Sequence, residues 1–118
     1  MRTIEQIASR LVELCREQKF VEAYKELFAE EAISIDPMYT IMPHARGLIT
    51  LIEREKQFLA KTQINGITIS EPMISGSYFA IRIDMDFIHE DRGHVNSGEL
   101  GVYHVKDGKI VSQQFFMG

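Results

Sequence analysis

Cysteine is almost absent: Cys15 stands alone among 118 residues, so no intrachain disulfide can form and a reducing compartment is expected. That thiol falls on the apolar stripe of a predicted helix, where it should be buried. Runs of basic residues are missing too. Thirteen Lys and Arg against seventeen Asp and Glu leave a net charge of -4, which argues against a nucleic-acid partner, because phosphate neutralisation supplies most of that affinity. No apolar stretch approaches the roughly 18 residues of a membrane span. The opening residues Met1 to Ile7 contain no apolar signal-peptide core, so a cytoplasmic location is expected. The chain also lacks GxGxxG, a Walker loop, a nucleophile elbow, HExxH and CxxC. No cofactor or metal is implied. What remains is a chain that is 45% apolar and 25% charged, ordinary for a globular protein. Its length suits one domain spanning residues 1–118, without repeat, linker or low-complexity tract.

Two amphipathic helices open the chain. Ile4, Ile7, Ala8, Leu11, Leu14 and Cys15 recur at helical spacing behind a Thr3/Gln6 capping box. Phe20, Ala23, Tyr24, Leu27 and Phe28 form a second, shorter stripe. Ala32 to Asp36 alternates like a strand, ended by Pro37. The residues from there to Gly47 read as a loop punctuated by Pro37 and Pro43, carrying Tyr39, Ile41, Met42 and His44. Leu48, Leu51, Ile52, Phe58 and Leu59 mark a third helix, with Glu55 where the stripe expects an apolar residue. Four strand-like runs follow, Gln63 to Ile74, Tyr78 to His89, His94 to Val105 and Ile110 to Met117, separated by turn sequences. The expected order is ααβαββββ, an α+β fold whose strongly curved antiparallel sheet wraps three N-terminal helices.

This order resembles the SnoaL-like branch of the nuclear transport factor 2-like superfamily, which includes ketosteroid isomerases. The resemblance rests on Leu27 to Pro37, on Gly47 opening the third helix, on Ser77-Tyr-Phe-Ala-Ile81, and on Val105 to Val111 before the terminal Gln-Gln-Phe-Phe. It covers nearly the whole chain. It implies a cystatin-like cone with an internal pocket and the habit of dimerising, and the outer-facing Leu100 and Val102 point to a homodimer through the sheet. The fold hosts isomerases, cyclases, hydrolases and binding proteins, so activity has to be argued from individual residues.

Asp36 falls at the position resembling the isomerases' general base. A carboxylate at an apolar cavity mouth has its pKa raised by desolvation, which suits it to move a proton next to a carbonyl. Aspartate before proline also simply ends strands and starts turns. Glu99 shares one strand face with Val95, Ser97, Gly101, Tyr103 and Val105. In the isomerases the matching strand carries a protonated acid, the handiwork of an apolar site; here Gly101 holds the matching place and Glu99 is one step along. The opposite face, with Leu100 and Val102, is apolar as well, so pattern alone leaves Glu99 either inside or in solvent. The isomerases' first-helix tyrosine is matched by Val12, a departure that counts against steroid isomerisation. Tyr24 and Tyr103 are the tyrosines that could substitute, with plain core packing as the alternative. Glu55 faces a cavity or lies on a helix edge beside Lys56.

On the last strand Val111, Gln113, Phe115 and Met117 share a face expected to line the pocket, Gln113 supplying a neutral hydrogen-bonding group. His44 is the histidine of the pocket-side loop. In the second long strand the apolar set from Phe79 to Phe87 should point inward, leaving Arg82, Asp84 and Asp86 as an outward ladder. His89 and His94 flank a turn without any metal-ligand motif. Two functions are consistent with these residues. One is a cofactor-independent isomerase-like or cyclase-like enzyme acting on an apolar carbonyl compound, with Asp36 as base and Glu99 or Gln113 meeting the ligand oxygen. The other is a non-catalytic ligand-binding or dimerisation module.

Overall fold

A computed structural model describes residues 1–117. Helix α1 (Ile4–Arg16) starts where the capping box closes: Gln6 N donates to Thr3 Oγ1 at 3.2 Å and Thr3 N donates to Gln6 Oε1 at 2.9 Å. Its apolar stripe, including Val12 and Cys15, is buried. The helix stops where Gln18 adopts a left-handed φ of 61°. Helix α2 (Phe20–Leu27) is tied to α1 by Arg10, which donates to both Glu26 carboxylate oxygens at 2.7 and 3.0 Å.

Phe28, expected on the α2 stripe, is instead the first residue of strand β1 (Phe28–Ile35). The strand therefore begins four residues before the alternation at Ala32. Its parallel pairing with the last strand overrides the helix-favouring Ala29-Glu30-Glu31, and a register shift between Phe28 and Ile33 interrupts the two-residue period there. Within the expected loop, His44–Arg46 forms a three-residue strand β2, antiparallel to Ile33–Ile35. Helix α3 (Leu48–Ala60) follows Gly47, whose φ of 97° suits glycine.

The run expected from Gln63 to Ile74 divides into β3 (Thr62–Ile69) and β4 (Met73–Ser75). Pro72 lies in the break, where it removes a ladder donor, and Ser70 Oγ accepts the Arg82 N–H at 2.8 Å instead. Strands β5 (Tyr78–His89), β6 (Gly93–Lys106) and β7 (Lys109–Met117) are successive hairpins. The tight turn between β6 and β7 is Asp107-Gly108, both residues at positive φ, as an Asp-Gly hairpin requires. The observed order keeps the expected ααβαββββ and adds two short strands.

The seven strands form one sheet ordered β2-β1-β7-β6-β5-β3, with β4 beside β5. Every pairing is antiparallel except β1 with β7. The sheet is curved and unclosed, and the helices pack on its inner face through α1 against β3 and β5 and α3 against β1. Phe79, Ile81 and Phe87 are buried there while Arg82 pairs outside with Asp84 at 2.9 Å and Asp86 meets His94 at 2.6 Å. On the same outer face Leu100 and Phe116 are register partners, both exposed. No helix among the described residues is long and apolar enough to cross a membrane.

Candidate functional site

Sheet register determines which side chains meet inside. Ser34 is paired with Gln113, Gln113 with Tyr103 and Tyr103 with Phe79, so one row of inward side chains crosses four strands. Two residues further along, Phe115 is paired with Gly101, and two beyond that Glu99 is paired with Ile83. Asp36 follows the last residue of β1, on the face that Ser34 occupies. Between this wall and the helices lies a cavity of about 110 Å³.

Seven of the residues singled out from sequence border that cavity: Tyr24, Asp36, Glu55, Glu99, Tyr103, Gln113 and Phe115. A side chain at Gly101 would be tightly placed. A Cβ there would stand 3.0 Å from the Tyr103 hydroxyl and 3.2 Å from the Phe115 ring. Tyr103 in turn stacks on Phe79 with ring centroids 4.8 Å apart.

Two expected residues lie elsewhere. His44 is exposed on β2, because strand alternation turns its neighbour Ala45 inward and sends His44 and Arg46 out. Met117 shares the inward face of β7 but stands at its last rung, about half exposed, in a shallow depression with Met38, Arg92 and Val95. His89 is buried, its ring stacked on Phe58 with centroids 5.7 Å apart. Among the described residues no group of three or more His, Cys, Asp or Glu is placed to hold a metal ion.

Arg54 and Ser34 border the cavity without having been singled out. The signals were present: Leu51, Arg54, Glu55 and Phe58 share one helical stripe, and Ser34 is two residues from Asp36 on a strand. The Arg54 guanidinium carbon lies 3.7 Å from the centre of the Tyr39 ring, a cation–π contact. Both its Nη atoms are buried without a hydrogen-bond partner among the described residues.

Three carboxyl groups and one guanidinium thus share a small, mostly apolar space. Burial raises the Asp36 pKa, opposed by the Met38 N–H, which donates to Oδ1 at 2.9 Å, and by the charges of Arg54 and Arg92. The same bond makes Asp36 the start of a turn, so its structural role and its cavity position coexist. Glu55 is pushed up to about 7 by burial and then by the Asp36 charge, partly offset by Arg54. Glu99, 8% exposed, is pushed up to about 7 by burial, then by Asp36 and Glu55, and its Oε2 has no hydrogen-bond partner among the described residues. Arg54 and the turn amide therefore favour charge on Asp36, while nothing favours it on Glu99. The arrangement sets the three acids apart, Asp36 with a turn amide and two arginines near its charged form and Glu99 with no such partner, the pattern by which neighbouring acids take opposite roles. The Cys15 thiol, also on the cavity wall, is pushed up to about 12, burial being the main cause, and stays protonated.

The SnoaL-like domain family matches residues 2–117. The chain belongs to that family. Among solved structures it is similar to a candidate SnoaL-like polyketide cyclase of Mesorhizobium loti, with 27% identity and a TM-score of 0.92 over 98% of this chain and 99% of that one. A Xanthomonas campestris protein of unknown function with a cystatin-like fold shares 17% identity at TM-score 0.80, covering 100% and 92%. A Mycobacterium tuberculosis epoxide hydrolase shares 14% identity at TM-score 0.71, covering 95% and 83%. The last two likenesses establish the fold alone. Among curated proteins nothing matches this chain. The cystatin-like α+β architecture and the SnoaL-like relationship read from the sequence both hold.

Proposed function

We propose that this SnoaL-like protein binds an apolar, carbonyl-bearing small molecule in the cavity and moves a proton next to its carbonyl without a cofactor. The observation that carries this reading is the convergence of Asp36, Glu55 and Glu99 on one mainly apolar cavity with a single arginine. In the step proposed, Asp36 takes a proton from the carbon beside the carbonyl and the C–H electron pair moves onto oxygen as an enolate. In an isomerisation the enolate is conjugated with a neighbouring C=C bond and the proton returns from Asp36 to the far carbon of that system; in a cyclisation the enolate carbon attacks a second carbonyl carbon of the same ligand, whose C=O π pair moves onto its own oxygen and takes a proton from the Glu99 or Glu55 carboxyl. The polyketide-cyclase description of the Mesorhizobium loti relative is consistent with such a substrate class. We also propose that the protein acts as a homodimer joined through the outer sheet face around Leu100 and Phe116, whose exposure supports it.

A non-catalytic binding module is the second reading, favoured by Val12. That residue matches the isomerases' first-helix tyrosine and is buried in the apolar stripe of α1, with no hydroxyl to offer. Crystals soaked with a panel of steroid-like and polyketide-like ketones separate the two. Density placing the carbon beside a carbonyl next to Asp36 is the expected result; a ligand held away from Asp36 would leave the binding module, and a core that stays closed to every compound would leave a module that only dimerises.

A further inference from the structure

The inner end of the cavity contains a hydrogen-bond arrangement whose donors are only half used. Gln113 Nε2 donates to the Tyr24 hydroxyl at 2.8 Å and to the Ser34 hydroxyl at 2.9 Å. A primary amide nitrogen has two protons, so both are engaged, and each hydroxyl acts as acceptor while keeping its own proton. Among the described residues neither hydroxyl passes that proton to a protein acceptor. Ser34 and Gln113 are 4% and 3% exposed, so bulk water does not reach them freely. A buried hydroxyl proton without an acceptor is costly. Tyr24 and Ser34 both border the cavity, where a ligand oxygen can accept those protons.

We infer that Tyr24 and Ser34 form a two-donor site for one carbonyl oxygen of a neutral ligand at the inner end of the cavity, with Gln113 as the residue that positions both hydroxyls. The inference rests on the reading of the cavity as a site for a carbonyl compound and assigns the place of its oxygen. Burial holds the Tyr24 phenol above its ordinary pKa, so the donor stays protonated. Glu99 is four residues from Tyr103 along β6, roughly 14 Å at strand rise, so one oxygen cannot meet both ends. Asp36 lies two residues beyond Ser34, about 7 Å along the strand. A carbonyl held by the two hydroxyls therefore leaves its neighbouring carbon on the side from which Asp36 approaches.

The test uses acetophenone labelled with ¹³C at the carbonyl, beside its hydrocarbon isostere α-methylstyrene, on the intact protein at neutral pH. The wild-type protein is expected to bind the ketone about tenfold more tightly than the isostere, the difference made by its hydrogen bonds. The carbonyl signal should lie at or downfield of its position in water, whereas burial without donors moves it upfield. Tyr24→Phe and Ser34→Ala should each weaken ketone binding by up to about tenfold, shift the signal upfield and leave α-methylstyrene affinity unchanged. Gln113→Leu is the sharper variant for a positioning role. It removes the amide that holds both hydroxyls, so they are free to turn toward each other or the backbone, and the ketone should lose its preference and its downfield shift together. If the ketone binds but Tyr24→Phe and Ser34→Ala leave its signal in place, or Glu99→Gln alone moves it, the assignment is overturned while the cavity reading stands. If neither compound binds the wild-type protein, the cavity reading fails and the assignment with it.

Discussion

Replacing Glu99 by glutamine removes a titratable charge and keeps the side-chain shape, which makes stability a direct report on the Glu99 environment. Burial, then the charges of Asp36 and Glu55, raise its folded-state pKa from the ordinary 4.5 to about 7. A folded pKa above the unfolded one means that the folded state holds the proton more tightly. The stabilisation from protonated Glu99 is thus complete below 4.5 and is lost as pH rises through about 7. A shift of that size corresponds to about 3 kcal/mol. Glu99→Gln should therefore match the wild type below pH 4.5 and gain on it until a plateau above pH 7 or so. The plateau, at most about 3 kcal/mol, amounts to ~10 °C in Tm for a domain of this size. Urea melts at half-unit pH intervals measure the difference. A difference independent of pH, or a variant less stable than wild type at pH 8, would refute the reasoning, because it would mean that Glu99 is ionised in the fold at no cost.

Gly101→Ala places a methyl group against the Tyr103 hydroxyl and the Phe115 ring, and should cost on the order of 1 kcal/mol in urea melts. Adding Tyr103→Phe should recover part of that loss, whereas strict additivity of the two changes would show that they do not touch. Leu100→Glu with Phe116→Glu, on the outer sheet face, should turn a sedimenting dimer into a monomer at micromolar concentration with the fold intact; a wild-type monomer at that concentration defeats the proposed homodimer.

The sequence was most legible where a local period met a local stop signal. The Thr3/Gln6 box and the stripe behind it place α1, and the turns at residues 90–92 and 107–108 place β5, β6 and β7 within a residue or two of their observed ends. Legibility fell where tertiary pairing sets the structure. Phe28 leaves helix because β7 offers it a partner, and β2 exists only as an addition to β1. Within the site, Glu55 was visible as a charge interrupting a stripe, and the same helical face carries Arg54 to the cavity one residue before it. Glu99 could not be placed by pattern, since both faces of its strand are apolar; pairing with Ile83 turns it inward. His44 misled through its position in a loop rich in apolar residues, of which Ile41 and Met42 are exposed while Met38 and Tyr39 reach the cavity.

Exchange in deuterated water tests the central claim that Asp36 moves a proton next to a ligand carbonyl. Acetophenone is incubated with wild-type protein and with Asp36→Asn, and loss of its methyl proton signal is followed by NMR. The account predicts exchange accelerated by the wild-type protein and reduced by Asp36→Asn at least a hundredfold toward the uncatalysed rate, as removal of a general base should do. Binding of the ketone with equal, background exchange in both proteins would contradict it and leave a pocket that holds ligands without acting on them.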